Sequence, residues 1–275
     1  MTVSSFSPLC FIGGGNMANA LITGLLQRGT PAASILVVEP LASTRQHLID
    51  QLGVRAMPQA DDSLSSSQLV VWAIKPQLFK EVATPLQSLF PQALHLSVAA
   101  GIRSDSIAHW LQTERVVRAM PNTPALVGLG QTGLFARGAV LAEERQQVEA
   151  LLSAVGQSIW VPREDLLDAV TAVSGSGPAY VFYLLEAMVA AGVRMGLSPE
   201  QAHQLSVGTL VGASELARSS SEPPAVLRER VTSKGGTTYA AISSLQNDGV
   251  AGLIEKAMQA AKDRAHSLGE ELGGA

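Results

Sequence analysis

A glycine-rich turn near the start of the chain restricts its fold more than any other feature. Residues 13–18 read Gly-Gly-Gly-Asn-Met-Ala, a G-x-G-x-x-A pattern that follows the apolar run 9–12 and opens the helical pattern 16–28. In such a strand–turn–helix, the first glycine permits a tight turn, the second lets the backbone approach a pyrophosphate, and the alanine allows close packing. The helix N-terminus attracts the negative charge. The pattern therefore favours dinucleotide binding over a simple connecting turn.

Apolar runs and helical patterns alternate along the first part of the chain, which is typical of a parallel sheet covered by helices. The predicted strands are 9–12, 35–38, 69–74, 94–98, 116–120, 134–136 and 158–161. After Pro162 the strand pattern ends, and Ala- and Leu-rich helices are predicted, with breaks at 174–178, 196–199, 219–224, 233–236 and 247–249. The sequence predicts an α/β chain with an N-terminal Rossmann-type parallel-sheet domain at 1–162 and an all-α domain at 163–275.

Composition restricts the partners and the location. The 275 residues are 47% hydrophobic and 15% charged with a net charge of −4, and without a basic cluster we expect no nucleic-acid partner. Apolar runs stay below about 18 residues, so no membrane span is predicted. A single Cys10, and a start at Met1 that is neither basic nor apolar, favour the cytoplasm. The low charge content indicates subunit surfaces in an oligomer, and no metal site is predicted.

Two further loops follow predicted strands and would complete a cofactor cleft, because ligands of an open parallel sheet lie beyond the carboxyl ends of its strands. One loop contains Ala73, Ile74, Lys75 and Pro76, and the other Ala99, Ala100 and Gly101. Their small residues suit close approach of the nicotinamide half. Lys75 could hold a phosphate or hydroxyl, but a lone lysine before a proline is slightly more often a solvated surface group, and it receives no catalytic role.

Glu39 ends the second strand about twenty residues beyond the glycine turn, where an acidic side chain binds the adenine ribose and favours NAD. Arg45 lies nearby in sequence and is able to meet a 2′-phosphate, while a solvated acid in a Glu-Pro turn explains Glu39 as well. The residues alone leave the choice of cofactor phosphate open.

A hydroxyl- and glycine-rich turn at 233–238 leads into the helical pattern 239–245. Backbone N–H groups and hydroxyls at a helix N-terminus can hold a carboxylate without an arginine, although helix capping alone accounts for such turns about as often. Two other turns, 118–125 and 174–180, are interpreted as a stiff connecting loop and as a helix start with Pro178 at the first helical position.

Six ordered motifs together resemble the Δ1-pyrroline-5-carboxylate reductase family, and the resemblance spans nearly the whole chain. The motifs are 12–18, 73–77, 97–102, 118–125, 174–180 and 232–238. The resemblance implies direct hydride transfer from NAD(P)H to a cyclic imine, giving L-proline as the last step of proline biosynthesis. It also implies that the helical domain interlocks two subunits in a homodimer or a larger ring of dimers.

Carried over by position, the resemblance implies a set of cofactor-binding residues and a set that binds pyrroline-5-carboxylate. The cofactor set is Ile12, Gly13, Gly14, Gly15, Asn16, Met17, Ala18, Glu39, Asp62, Ala73, Ile74, Lys75, Pro76, Ala99, Ala100 and Gly101. The substrate set is Ser233, Gly235, Gly236, Thr237 and Thr238, with Thr238 as the catalytic residue that hydrogen-bonds the imine nitrogen.

Three residues depart from the family pattern. Lys234 stands where proline is common, so its role is open. Glu39 replaces the small polar or basic residues that accompany NADP, so the resemblance favours NADPH while Glu39 counts against it. Asp62 stands where asparagine is common and is expected to touch the adenosine. Acceptance of related cyclic imines is also open.

Two other functions fit parts of the sequence. A β-hydroxyacid dehydrogenase shares the domain order but would carry a catalytic lysine on an early helix of the second domain, and the pattern 179–195 has none. A non-catalytic redox sensor would bind the dinucleotide and regulate a partner protein. The carboxylate-binding turn at 233–238 argues against the sensor, and measurable turnover would decide.

Overall fold

The computed structural model describes residues 8–273 and contains one eight-stranded sheet. The expectation that the chain start carries no export signal falls on residues outside this range. The strands are β1 (Leu9–Ile12), β2 (Ile35–Val38), β3 (Arg55–Met57), β4 (Leu69–Trp72), β5 (Leu94–Ser97), β6 (Val116–Met120), β7 (Gly130–Ala136) and β8 (Gly156–Trp160). Their spatial order is β3-β2-β1-β4-β5-β6-β7-β8. All neighbouring pairs are parallel except β6 and β7, so the predicted α/β fold is confirmed with one antiparallel pair.

Eleven α-helices accompany the sheet in the described residues. They are α1 (Asn16–Gln27), α2 (Ala42–Leu52), α3 (Phe79–Ala83), α4 (Ser104–Leu111), α5 (Ala142–Leu152), α6 (Leu166–Val170), α7 (Gly177–Arg194), α8 (Pro199–Ser219), α9 (Pro224–Arg230), α10 (Thr237–Asn247) and α11 (Val250–Gly273). No strand follows β8 in this part of the chain, as predicted.

The central strands are buried on both faces, which explains why they read as continuous apolar runs rather than alternating ones. Every residue of β1, β2, β4 and β5 is buried. Successive side chains of a strand point to opposite faces. Leu9 and Phe11 therefore join one core cluster, and Cys10 and Ile12 join the other.

Two strands differ most from the sequence prediction, whereas the bounds of β4, β5 and β8 differ from it by one or two residues. β3 was not predicted, because it has three residues, begins with an exposed arginine and exists only through its parallel pairing with β2. β7 begins at Gly130 instead of residue 134. The early part of β7 was missed because it contains glycines, which are uncommon in strands. In the structure, a Cβ on Gly133 would lie 2.6 Å from Cγ1 of Val170 in α6. The glycine there allows α6 to pack directly on the sheet.

The described chain divides into two compact units, residues 8–176 with 261–273 and residues 177–260. The first contains the sheet, and the second contains α7 to α10 with the start of α11. In the second unit α7 and α8 approach closely, with the position of a Cβ on Gly192 only 3.0 Å from Cβ of Ala202. The functional boundary predicted after residue 162 stays a prediction.

The predicted helix break at 174–178 corresponds to an irregular segment, because α6 ends at Val170 and α7 begins at Gly177, after a π-helical turn and Ser176. A π-helical turn, Thr171–Gly175, connects α6 to α7, and the Ser176 N–H donates to the Thr171 carbonyl at 2.8 Å. Within the stretch Leu166–Arg194, the most apolar 18-residue window has a mean hydropathy of 1.3 and is not buried in the single chain. Length and composition alone would suit a membrane span, but one such helix is weak evidence, since an apolar helix covered by a second subunit would pass the same test.

Candidate active site

The glycine turn has the geometry that a dinucleotide site requires. Gly13 has φ 96°, and a Cβ there would lie 2.4 Å from the Ala73 carbonyl oxygen, so glycine lets the end of β1 lie against the loop after β4. Gly15 has φ −70°, and no described heavy atom lies within 4 Å of where its Cβ would be. The turn is closed on the Gly13 side and open on the Gly15 side.

The N-terminus of α1 has the features of an anion-binding site. Gly15 is its N-cap, so the cap contributes no side-chain hydrogen bond, and the first turn carries no acidic residue. The first N–H groups of a helix have no partner within the helix and attract negative charge. Ile12 and Ala18 are buried, whereas Gly15 and Asn16 are exposed.

Glu39 lies directly on the glycine turn. Its Oε2 accepts the Gly14 N–H at 2.9 Å, and its Oε1 accepts the Leu41 N–H at 2.8 Å. Arg45 donates to the carbonyls of Glu39 and Pro40 at 2.8 and 2.6 Å. The carboxylate therefore lies against the Gly14 N–H of the turn, and the guanidinium of Arg45 hydrogen-bonds backbone oxygens.

The two other predicted loops follow β4 and β5. In the sheet β4 lies next to β1, and β5 lies next to β4. The Ala73 N–H donates to the Ile12 carbonyl at 2.8 Å, which ties the first loop to the glycine turn. Gly101 has φ 76° in the second loop, and Lys75 is exposed. Parallel strands end at one edge, so the structure brings residues 13–15, 73–76 and 99–101 to the same edge of the sheet.

Asp62 begins a short 3-10 helix, Asp62–Leu64, that follows β3. Asp61 caps this helix by accepting the Ser63 N–H at 2.9 Å. Asp62 lines a depression of about 390 Å³ together with Ser65 and Leu86. Its contact with the adenosine stays a prediction.

A buried ion pair lies at the start of α4, the helix that follows the loop after β5, and sequence reasoning missed it. Arg118 of β6 donates to Glu164 at 2.6 Å, and both side chains are largely buried. Glu164 also accepts the Ser104 N–H and hydroxyl at 2.6 Å each, at the first residue of α4. The available signal was an arginine inside a predicted buried strand, since arginine is rarely buried without a partner.

The turn 233–238 belongs to the 177–260 unit. Gly235 has φ 76°, the Gly236 N–H donates to the Ser233 carbonyl at 3.0 Å, and α10 begins at Thr237 instead of residue 239. Gly236 is the N-cap, and no acidic residue lies in the first turn of the helix. Lys234 is exposed. The N–H groups that open α10, together with the hydroxyls of Thr237 and Thr238, can hold a carboxylate.

The two pronounced pKa shifts belong to core residues. Burial raises the pKa of the Cys10 thiol to about 12. Burial, assisted by the Arg115 charge, lowers the pKa of His95 to about 4. Both groups are neutral near pH 7. Within residues 8–273, no group of three or more His, Cys, Asp or Glu is arranged to hold a metal ion.

Family models match both parts of the chain. The model described as pyrroline-5-carboxylate reductase dimerisation matches residues 164–268, and the model described as NADP oxidoreductase coenzyme F420-dependent matches residues 8–101. The first of these models covers the helices that follow the sheet, and the second covers the first five strands.

Curated and solved proteins of high coverage carry the same name. A pyrroline-5-carboxylate reductase of Pseudomonas aeruginosa is 46% identical over 267 residues, which cover 96% of this chain and 98% of the relative. The structure of a pyrroline-5-carboxylate reductase from Coxiella burnetii has a TM-score of 0.89 and 37% identity, covering 95% of this chain and 98% of that one. A Plasmodium falciparum pyrroline carboxylate reductase with NADP bound has a TM-score of 0.86 and 25% identity, with coverages of 98% and 100%.

The sequence and the fold lead to the same assignment. The predicted reductase is confirmed in preference to a β-hydroxyacid dehydrogenase or a non-catalytic sensor, and the cofactor is a nicotinamide dinucleotide. The chain belongs to the pyrroline-5-carboxylate reductase family, the oxidoreductases that complete proline biosynthesis.

Proposed function

We propose that this chain reduces pyrroline-5-carboxylate with NADH in preference to NADPH, and that Thr238 is its catalytic residue. The observation that carries the cofactor preference is the Glu39 carboxylate on the Gly14 N–H at 2.9 Å. A 2′-phosphate bound at the ribose would face this negative charge. Two unit charges about 4 Å apart repel by about 1 kcal/mol in water and by about 4 kcal/mol near a protein surface.

The residues at the sheet edge fit a dinucleotide. The free N–H groups that open α1 and the open side of Gly15 suit the pyrophosphate, and Glu39 suits ribose hydroxyls. Residues 73–76 and 99–101 would line the nicotinamide half. When bound, the nicotinamide supplies the hydride that reduces the C=N bond. The expected affinity order, NADH above NADPH, reverses the preference that family resemblance alone suggests.

The turn 233–238 would hold the substrate. Its N–H groups at the start of α10 bind the carboxylate, and the Thr238 hydroxyl oxygen accepts a hydrogen bond from the N–H of the imine, which is reduced in its protonated form. The turn thereby orients the C=N bond, and orientation of two bound molecules is worth several kcal/mol in rate. A strong acid is not required for this chemistry.

Initial rates with NADH and NADPH, followed by absorbance of the reduced cofactor, test the cofactor preference. We expect kcat/KM to be at least about tenfold higher with NADH, which corresponds to about 1.4 kcal/mol. Glu39→Gln should reduce this ratio, whereas the matched control Glu143→Gln, on the exposed face of α5, should leave it unchanged. A wild-type preference for NADPH would refute the role of Glu39.

The same assay tests Thr238. Thr238→Ala should lower kcat more than it changes the KM for the dinucleotide, and Thr238→Ser should restore most of the turnover because it keeps the hydroxyl. Unchanged turnover of Thr238→Ala at saturating substrate would remove the assignment.

We further propose a cytoplasmic homodimer, with a ring of dimers as the larger assembly. The dimerisation match at 164–268 supports it, as do large apolar side chains that the single chain leaves exposed in the 177–260 unit. They include Phe182, Tyr183, Leu184, Leu253 and Ile254. Exposed apolar patches of this kind mark protein interfaces. Sedimentation equilibrium would give the assembly size, and a monomer at micromolar concentration would contradict the proposal.

A further inference from the structure

Asn122 has no role in the proposed function, although it is buried beside the sheet edge. Asn122 ends the loop after β6 and is 7% exposed. It is the N-cap of a 3-10 helix, Thr123–Val127, yet its side chain makes no capping hydrogen bond. Asparagine is among the preferred N-cap residues, so a buried asparagine that does not cap its helix is engaged elsewhere.

Both ends of the Asn122 amide are used. Its Oδ1 accepts the Gln131 N–H of β7 at 2.9 Å, and its Nδ2 donates to the Ser174 carbonyl at 3.0 Å. The orientation of the amide follows from these partners, because an N–H requires an acceptor and a carbonyl requires a donor. One side chain thus joins the loop after β6, the start of β7 and the π-helical turn Thr171–Gly175.

The Ser174 carbonyl has a reason to need an outside donor. In an α-helix it would accept the N–H of the residue four positions later, and that residue is Pro178, which has none. The hydroxyls of Thr171 and Ser174 donate to the carbonyls of Leu167 and Val170. Both hydroxyls therefore donate within the helix, and the hydrogen bond to the Ser174 carbonyl comes from the Asn122 amide outside it.

The π-helical turn lies at the edge of the sheet that the proposed function uses. A Cβ on Gly175 would lie 2.6 Å from Cε of Met120, the last residue of β6. β6 is parallel to β5, so Met120 ends at the same edge as the loop that contains Ala99. Single π-helical turns inside α-helices occur frequently at functional sites.

We propose that Asn122 is a positioning residue of the reductase, which holds the Ser174 carbonyl and so fixes the π-helical turn as a wall of the nicotinamide end of the cleft. The inference rests on the proposed function for the identity of the cleft. If the π-helical turn moves, the distance and angle of hydride transfer should change more than the binding of the distant pyrophosphate. Displacements of about 1 Å can cost about 100-fold in rate.

Asn122→Asp is the test, because aspartate has the same shape, keeps the acceptor for Gln131 and loses the donor for Ser174. We expect kcat to fall by about 10- to 100-fold at pH 8, with the KM for NADH changed less than about threefold. A protonated aspartate can donate to the carbonyl, so the ratio of variant to wild-type kcat should rise as the pH is lowered from about 8 to about 6. Asn247→Asp, at the exposed end of α10, controls for the added charge.

Hydrogen exchange of the peptide that covers 171–177 provides a readout independent of turnover, and we expect faster exchange in Asn122→Asp than in the wild type. Three results would each overturn the positioning role. They are a wild-type kcat in the folded variant, hydrogen exchange equal to that of the wild type, and a loss of kcat that lower pH does not relieve. Absent turnover in the wild type would instead refute the proposed function, and the exchange result would still test whether Asn122 holds the turn.

Discussion

Replacing Gly15 with alanine should separate cofactor binding from folding, and Gly13→Ala provides the opposite case. Gly15 has φ −70° and ψ −171°, which alanine adopts without strain, and no described atom would meet the new methyl group. Gly13 has φ 96°, and its Cβ would lie 2.4 Å from the Ala73 carbonyl oxygen. The two glycines are two positions apart, but we expect their substitution to affect different properties, cofactor binding for Gly15 and folding stability for Gly13.

The magnitudes follow from the backbone geometry. For Gly15→Ala, the lower entropy of the unfolded chain adds about 0.4–1 kcal/mol of stability, and the poorer N-cap removes a similar amount. The free energy of unfolding should therefore change by less than about 0.5 kcal/mol. For Gly13→Ala, the left-handed conformation costs about 1–2 kcal/mol and the steric overlap about 1–3 kcal/mol. The sum predicts a loss of about 2–5 kcal/mol.

The assay combines urea unfolding at fixed protein concentration with titration of NADH followed by its fluorescence. Gly15→Ala should bind NADH at least about tenfold more weakly, equivalent to about 1.4 kcal/mol, because the methyl group fills the space that the pyrophosphate needs. Tight binding of NADH by a folded Gly15→Ala protein would refute the placement of the pyrophosphate. Wild-type stability of Gly13→Ala would refute the steric argument for the turn.

Two further predictions concern stability. Glu164→Gln should lower the free energy of unfolding by about 3–5 kcal/mol, because it leaves the buried Arg118 charge without its partner; a loss below about 1 kcal/mol in urea unfolding would contradict this. His95 has its pKa lowered by burial to about 4 and accepts the Trp72 indole N–H at 3.0 Å, so protons bind preferentially to the unfolded chain below pH 6.5. Its contribution is complete above pH 6.5 and is lost progressively down to about pH 4, by about 3 kcal/mol in total. His95→Gln should remove that part of the pH dependence, and an unchanged pH profile would show that the imidazole does not cause it.

Local patterns were enough to predict the cofactor half of the fold. β1, β2 and β4 are buried on both faces, so their composition alone identifies them as strands. The turn 13–15 depends on conformations that are specific to glycine, and its position between a strand and a helix is visible in the sequence. The ordered motifs also predicted the family of the chain, and its relatives confirm that prediction.

Features that depend on distant partners were not predictable in this way. β3 needs β2 beside it, and the Ser174 carbonyl of the π-helical turn accepts a hydrogen bond from Asn122, which lies 52 positions away in the sequence. The Arg118–Glu164 pair joins residues 46 positions apart. In each case the sequence shows one participant, and its partner is chosen only when the sheet brings the two together.

The sequence by itself thus determined the strand–turn–helix proposed as the dinucleotide site and the family of the chain, because local backbone preferences and short motifs carry both. Only the tertiary structure decided that Glu39 rests on the Gly14 N–H and that Asn122 holds the Ser174 carbonyl. A hydrogen bond has a fixed reach of about 3 Å, and which groups come within that reach is set by how the strands are ordered in the sheet.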